Sequence, residues 1–159
     1  MNYMKFVCFL FIGTLPLSIN SQVFSIDYQS KENGIVNESA NKSILITDNI
    51  AHLSEIDATI RTFIDYHRRK TCQIIRFEDS LYRVEKTFAE LTTGIKTERS
   101  DTILGYNCQH MVFDYFSNKI DVFYTEEANI KGSPYSSFLP SKNALVLKVI
   151  ISGNRELEA

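Results

Sequence analysis

The sequence predicts an all-β protein, a single curved antiparallel sheet of bowl-like or half-barrel shape with little helix. Apolar and polar residues alternate with a period of two in most segments beyond the first 21 residues, as they do in half-buried strands. The 8 Tyr and 11 Phe favour strands. No amphipathic stretch reaches the roughly 12 residues that a stable helix needs. These observations predict one β domain.

The first 21 residues differ from the rest of the chain. Lys5 precedes an apolar run from Phe6 to Leu17, and small polar residues follow, which is the order found in secretory signal peptides. The run is too short to cross a hydrocarbon core of about 30 Å as a helix. We therefore predict a signal peptide over 1–21, export to the periplasm or beyond, and a mature domain over 22–159 without a transmembrane segment.

Alternation predicts the strands of the first half of the domain. Phe24, Ile26 and Tyr28 alternate with polar residues in a first strand, which ends before the turn-forming pair Asn33-Gly34. Residues 50–60 fit either a turn or two of helix or a strand with a loop. Four further strands are predicted at 44–47, 60–67, 71–78 and 81–88, with Asp79-Ser80 as the turn between the last two.

In the second half, residues 103–116 predict one long strand that returns through 117–119 as a strand over 120–125. Two more strands, 144–151 and 155–159, flank Ser152-Gly153-Asn154, where Gly and Asn tolerate the positive φ of a tight turn. The total is seven to nine strands. A sheet with one apolar face needs a cover, and no helix supplies it. We expect the sheet to curl on itself or to dock on a lipid-like ligand, a second domain or a partner chain.

Two cysteines, Cys72 and Cys108, remain after signal cleavage. In an exported protein they either form a disulfide, which would stabilise the fold by about 3–4 kcal/mol, or remain buried free thiols on neighbouring strands. The sequence leaves both alternatives open. Asn37 and Asn41 match the acceptor pattern of N-glycosylation, which would make the chain a glycoprotein in a host that uses it.

The sequence contains no recognisable catalytic set. The net charge of −2 gives no footprint for nucleic acid. The three histidines show no metal-ligand spacing, and no cofactor motif is present. Asp65 with His67, and Cys108 with His110, would each share a sheet face, but structural roles are favoured for both pairs. Most aromatic residues of the C-terminal half are predicted to be core, and a few exposed tyrosines would suit stacking on sugar rings.

The C-terminal third carries a family resemblance. Its segments are Thr102-Ile-Leu-Gly-Tyr-Asn-Cys108, Gly132-Ser-Pro-Tyr135, Phe138-Leu-Pro140 and the ending ALVLKVIISGNRELEA. They resemble the N-terminal bowl-like domain of bacterial type II peptide-N-glycosidases F and, more distantly, the GLPGLI family of exported β-proteins. The resemblance covers roughly residues 22–159.

This resemblance implies a β-bowl that precedes two jelly-roll domains, which cleave the amide between an N-linked glycan and asparagine. The bowl itself is expected to carry no catalytic residues and to assist substrate recognition or stability. Its expected partners are an N-glycoprotein or glycan, or a downstream catalytic domain, and the chain is then the front part of a longer protein. The alternatives are a GLPGLI-like protein of unknown role and a periplasmic half-barrel that binds a lipid acyl chain.

Overall fold

The chain is built almost entirely from strands and turns. The computed structural model describes residues 23–47, 50–55, 59–91 and 93–159, and the predicted signal peptide lies outside these ranges. Besides one 3-10 turn at Glu38–Ala40, the described elements are β1 (Val23–Glu32), β2 (Ile35–Val36), β3 (Lys42–Thr47), β4 (Ile50–Glu55), β5 (Ile60–Asp65), β6 (Lys70–Phe77), β7 (Ser80–Thr87), β8 (Ile95–Ile103), β9 (Tyr106–Tyr115), β10 (Asn118–Thr125), β11 (Leu145–Ile151) and β12 (Arg155–Glu158).

All of these strands belong to one antiparallel sheet. Its order is β7-β6-β5-β4-β3-β1-β12-β11-β10-β9-β8, with the short β2 paired to β1 outside this path. The first and last strands of this order do not pair with each other, so the sheet is open and not a closed barrel. The prediction of a single antiparallel sheet is confirmed. No helix within the described ranges is long and apolar enough to cross a membrane.

Strand β1 joins the two halves of the sheet. Its residues 23–28 pair with β3, and its residues 29–32 pair with β12. One half therefore runs from β1 through β3 to β7, and the other from β1 through β12 to β8. The first and the last strand of the described chain are therefore neighbours at this junction. The sequence pattern alone gives no indication of this pairing.

The described residues form twelve strands, whereas the sequence predicted seven to nine. The sequence pattern did not reveal some of the hairpins or the polar edge strand β8. Residues 103–116 are not one strand: a turn at Leu104-Gly105, with φ of 51° and 81°, separates β8 from β9. A positive φ is uncommon for leucine, so the sequence hides this turn. Strand β8 is mostly exposed and rich in charge, without an apolar alternation. Within 50–60, the strand alternative is the correct one, since β4 spans Ile50–Glu55.

An irregular segment, residues 126–144, helps to cover the apolar face of the β1–β5 half, which also packs against buried residues of β11 and β12. Ile130 and Leu139 of this segment lie in one cluster with buried residues of β1, β3, β4 and β5. Phe138 joins a second cluster with buried residues of β9, β10 and β11. The covering segment contains the Gly132–Tyr135 and Phe138–Pro140 motifs that carry the family resemblance. The cover that the sheet requires is therefore part of the chain itself.

The covering segment is held by specific contacts as well as by apolar packing. The Tyr66 hydroxyl accepts a 3.0 Å hydrogen bond from the Ser133 amide and lies 3.3 Å from the Ser133 carbonyl oxygen, to which it donates. Gly132 pairs with Leu145 in a parallel bridge. A Cβ atom at Gly132 would overlap Cδ1 of Ile46, so the glycine permits the close approach of this segment to β3.

The disulfide alternative is corrected by the structure, since Cys72 and Cys108 are both free. Cys72 lies on β6 and Cys108 on β9, the second strand from each end of the sheet order. They are thus not on neighbouring strands, as the free-thiol alternative had assumed. Cys108 is buried, whereas Cys72 is partly exposed. Burial raises the pKa of the Cys108 thiol.

Candidate ligand-binding cleft

Polar side chains of β1 face away from the buried core at the junction of the two half-sheets. Asp27 and Gln29 are exposed, and they alternate with the buried Ile26 and Tyr28. Strand register places Ser43 of β3 opposite Asp27 and Glu158 of β12 opposite Gln29. The point where β1 changes its pairing partner is therefore surrounded by polar side chains from three strands.

These side chains line a cleft of about 590 Å³. Within it, the Ser43 hydroxyl donates a hydrogen bond to Oδ1 of Asp27, and the Ser54 hydroxyl lies 3.4 Å from the Ser43 carbonyl oxygen. The Glu158 carboxylate forms an ion pair with the Lys148 ammonium. The complete lining comprises Asp27, Tyr28, Gln29, Asn41, Lys42, Ser43, Ser54, Glu158 and Ala159.

The backbone and floor of the cleft are fixed by buried bonds. The Tyr28 hydroxyl donates a 2.6 Å hydrogen bond to the Val146 carbonyl oxygen, and Tyr28 is only 1% exposed. Burial raises the pKa of this phenol well above its usual range. At the rim, Oδ1 of Asn41 accepts a 2.7 Å hydrogen bond from the Ser30 amide. A ligand would thus meet a largely preformed surface.

The cleft offers groups that suit a ligand rich in hydroxyls. Carboxylates accept hydrogen bonds, and an amide both donates and accepts them. The Asp27 and Glu158 carboxylates each have one partner among the residues that the structure describes, which leaves further acceptor capacity. Among the described residues, none forms a hydrogen bond with the side-chain amide of Gln29. The described lining contains no exposed aromatic ring, so recognition here would rest on hydrogen bonds.

A second polar arrangement lies on the opposite half of the sheet, around His110. The Thr97 hydroxyl lies 2.6 Å from Nδ1 of His110, and Nε2 of His110 lies 2.8 Å from Oδ1 of Asp121. In the neutral tautomer that satisfies both contacts, Thr97 donates to the ring and the ring donates to Asp121. This is the order of hydroxyl, imidazole and carboxylate in hydrolase triads.

The location of these groups indicates a structural role. His110 is 1% exposed and packs against the Phe123 ring, at 4.5 Å between ring centroids, so a substrate has no access to it. Arg99 also binds Asp121, at 3.3 Å, and lies over the same Phe123 ring. The register of β8 against β9 shifts between Lys96 and Ser100, opposite His110. The His110 network therefore anchors this bulge to β9 and β10.

Other side chains considered from the sequence are placed apart from the cleft. Asp65 accepts a 2.8 Å hydrogen bond from the Arg68 amide, which makes it a turn cap. The Cys108 thiol lies 3.6 Å from the Tyr106 carbonyl oxygen and makes no hydrogen bond with His110 in the described structure. No described group of three or more His, Cys, Asp or Glu residues is arranged to hold a metal.

Most aromatic side chains of the C-terminal half are core or partly buried, as predicted, and two are exposed. Phe113, Phe123, Tyr124 and Phe138 are buried. The exposed pair lies at the turn between β9 and β10 and consists of Tyr115 and Phe116, in edge-to-face contact at 4.6 Å. Neither ring lines the cleft.

Fold and site together define an all-β domain with an open antiparallel sheet and a polar cleft at its centre. The chain belongs to the family described as "N-glycanase peptide, N-terminal domain", whose model matches residues 26–159. This match confirms the resemblance inferred from the C-terminal motifs. No curated protein sequence matches the chain.

Two solved structures share the fold. Both are structures of PNGF-II, one in space group P21 and one in space group C2, and each is 22% identical to this chain. The TM-scores are 0.71 and 0.74, and each match covers 87% of this chain. The chain spans only 27% of the length of either PNGF-II chain. The likeness therefore concerns one part of a longer protein.

The cleft residues were not identified from the sequence. The alternation in β1 places Asp27 and Gln29 on the face opposite Ile26 and Tyr28, which is a usable signal. The missing information is the pairing of β1 with β12, because Glu158 lies at the far end of the chain. Short polar side chains on a strand otherwise resemble an ordinary solvated face.

Proposed function

We propose that this domain is an exported, non-catalytic recognition module that binds the glycan of an N-glycoprotein for a peptide-N-glycosidase. The observation that carries the proposal is the polar cleft at the β1 junction, together with membership of the N-glycanase N-terminal family. A sugar presents many hydroxyl groups and few apolar atoms on its edges. The carboxylates, amide and serine hydroxyls of the cleft are complementary to such a surface.

The non-catalytic part of the proposal is supported by the surroundings of the triad-like groups. Hydrolysis requires a nucleophile that reaches the substrate and donors that stabilise the oxyanion. Thr97 and His110 instead lie within the sheet, where Thr97 forms a hydrogen bond with His110 and His110 forms one with Asp121. The Asp27 and Glu158 carboxylates line the cleft, but each already has a partner in the chain, in Ser43 and Lys148.

The acyl-chain carrier is less well supported. A carrier needs an apolar hollow into which a hydrocarbon chain can enter. The apolar face of the β1–β5 half is instead packed against Ile130 and Leu139 of the covering segment, and Leu139 is completely buried. The cleft on the opposite face is lined mainly by polar groups. Both faces of this half-sheet therefore disfavour a lipid ligand.

The test is a binding titration of the purified protein with two probes, a high-mannose and a complex-type glycan, each attached to a single asparagine. Gln29→Ala and Asp27→Ala are each expected to weaken binding by about tenfold, since each removes a hydrogen-bonding group worth about 1–1.5 kcal/mol. Ser25→Ala is the matched control, because Ser25 is exposed on the same strand and does not line the cleft.

Two results would contradict the proposal. If both cleft variants bind the glycan unchanged and Phe116→Ala loses binding, recognition is assigned to the β9–β10 turn instead. If the purified chain alone releases glycan and the His110→Ala variant does not, the His110 network is catalytic. Circular dichroism of each variant separates loss of binding from loss of fold.

A further inference from the structure

Strand β7 is an unprotected edge of the sheet. Among the described residues it pairs only with β6, in a continuous register of eight residue pairs from Phe77↔Ser80 to Lys70↔Thr87. The other edge, β8, is interrupted opposite His110 by a register shift. A bulge of this kind discourages pairing with a further strand, whereas a regular edge permits it. The two edges of this sheet therefore differ in their capacity to accept another strand.

The backbone groups that β7 presents to solvent follow from the alternation of an antiparallel ladder. The Phe88 amide donates a 3.0 Å hydrogen bond to the Arg69 carbonyl oxygen, which places residue 88 in the set that faces β6. Residues at odd numbers then direct their N–H and C=O groups away from β6. These are Leu81, Arg83 and Glu85, with Thr87 at the strand end.

A groove lies beside this edge, on the face that carries the Leu81 side chain. It has a volume of about 260 Å³, and we call it the outer groove. The strand register places Leu81 beside Arg76, and Ile74 beside Arg61 and Arg83. Apolar positions thus alternate with guanidinium groups. The residues that line the outer groove are Thr59, Arg61, Phe63, Ile74, Arg76 and Leu81.

The charge of this region is opposite to that of the whole chain. Residues 59–88 carry seven Lys and Arg against four Asp and Glu, a net charge of +3, while the chain as a whole carries −2. Arg83 is paired with Glu85. Neither Arg61 nor Arg76 forms an ion pair with a described acidic residue. The outer groove therefore offers uncompensated positive charge directly beside exposed strand backbone.

We propose that the β7 edge and the outer groove bind an extended polypeptide segment that adds to the sheet as a further strand and whose side chains on the groove face, every second residue, are apolar and acidic in turn. The outward N–H and C=O groups of β7 would supply the main-chain hydrogen bonds of such β-augmentation. On that face the apolar side chains would lie beside Leu81, and the acidic ones would reach Arg76 on β6. Arg61 on β5 would add to the positive field of the outer groove without direct contact. This surface lies apart from the polar cleft and does not depend on the function proposed for it.

The test uses fluorescence anisotropy with the full chain and a labelled decapeptide whose odd-numbered residues are Val and Glu in turn and whose even-numbered residues are Thr. Glu85→Pro is the decisive variant. Proline is tolerated at an edge-strand position whose original N–H faces solvent. There it removes that one donor and blocks the edge. It also removes an acid, so attraction by charge alone would increase. We expect Glu85→Pro to weaken binding by about tenfold or more, and the matched control Glu85→Gln to bind at least as well as the parent.

Charge is tested separately from backbone pairing. Arg76→Glu is expected to weaken binding by about tenfold at low salt, and Arg61→Glu is expected to weaken it less because Arg61 lies one strand further away. The same decapeptide with Lys in place of Glu is expected not to bind. Three results would overturn the proposal. They are equal binding of the Lys peptide, unchanged binding in Glu85→Pro, and a dimer of the parent that Glu85→Pro converts to a monomer, since that dimer would assign the edge to a second copy.

Discussion

The Tyr28 hydroxyl donates a 2.6 Å hydrogen bond to the carbonyl oxygen of Val146, and this bond ties β1 to β11 across the intervening β12. It is formed where β11 has an irregular register against β10, between Phe123 and Tyr124. A strand irregularity leaves ladder groups without regular partners, so a side-chain donor stabilises this point. The two half-sheets are thus joined by a side-chain bond as well as by the ladder.

Removing this hydroxyl is expected to destabilise the protein. Tyr28→Phe keeps the ring in place and leaves the Val146 carbonyl oxygen without its donor, at a cost of about 1–2 kcal/mol. The measurement is the free energy of unfolding in urea. Tyr82→Phe is the control, because Tyr82 is 53% exposed and forms none of the described hydrogen bonds. An equal effect of both substitutions would show that the Tyr28 bond contributes nothing.

The buried phenols also predict sensitivity to alkaline pH. Burial is the main cause that raises the pKa of Tyr28 and of Tyr66 above the usual value of about 10. Above that pH the unfolded state loses the phenolic proton while the folded state retains it. Stability is therefore fully present below pH 10 and falls as the pH rises, by about 1.4 kcal/mol per pH unit for each phenol.

The check is the urea midpoint between pH 8 and pH 11 for the parent and for Tyr66→Phe. The variant is less stable at neutral pH, but its stability should fall less steeply above pH 10. Parallel curves for the two proteins would contradict the assignment of this pH dependence to the buried phenols.

The His110 network is expected to stabilise the bulge of β8. Thr97→Val keeps the side-chain shape but leaves Nδ1 of the buried His110 without its partner, at a cost of about 1–3 kcal/mol. Thr102→Val, at an exposed position of the same strand, should change stability by less than about 0.5 kcal/mol. Thermal unfolding of both variants decides the matter. A stable Thr97→Val protein would argue that the hydroxyl serves some purpose other than folding.

The close approach of the covering segment to β3 predicts a coupled pair of substitutions. Gly132→Ala places a Cβ against Cδ1 of Ile46 and 3.1 Å from Cδ1 of Leu145, and should destabilise by about 1–3 kcal/mol. Ile46→Val removes the obstructing methyl and alone costs about 1 kcal/mol. The double variant should lose less than the sum, with a coupling of about 1 kcal/mol. Strict additivity in urea unfolding would place the segment away from Ile46.

The free thiols predict selective alkylation. Cys72 is partly exposed on β6, whereas Cys108 is buried and its pKa is raised by that burial. In the native protein, iodoacetamide should modify Cys72 and spare Cys108, and both should react after unfolding. Mass spectrometry of the labelled peptides gives the sites, and Cys72→Ser should abolish native labelling within residues 23–159. A peptide containing both cysteines joined under non-reducing conditions would contradict the structure.

The sequence predicted the type of fold better than its hairpins. Alternating residues such as Ile44 with Ile46 identified strands because a half-buried strand must place its apolar side chains on one face. The turn at Leu104-Gly105 was missed because one of its residues is a leucine at positive φ. Strand β8 was missed because an exposed edge needs no apolar face, and its charged residues resemble those of a loop.

The candidate site was less predictable than the fold. Local alternation could assign Asp27 and Gln29 to the polar face of β1, but the cleft also needs Glu158, which only sheet pairing brings beside Gln29. The disulfide alternative failed for a related reason. Sequence spacing gives the length of a loop between Cys72 and Cys108, but the strand order decides whether their thiols can meet.

By itself, the sequence determined the all-β class, the face that each residue of a regular strand occupies, and the family, because these depend on local alternation and on short motifs. The tertiary structure alone decided which strands are neighbours and that residues 126–144 help to cover the sheet. It also decided that β1 pairs with β3 over residues 23–28 and with β12 over residues 29–32, beside a polar cleft. Backbone hydrogen bonds are alike in every strand, so long-range pairing is selected by the packing of the whole chain.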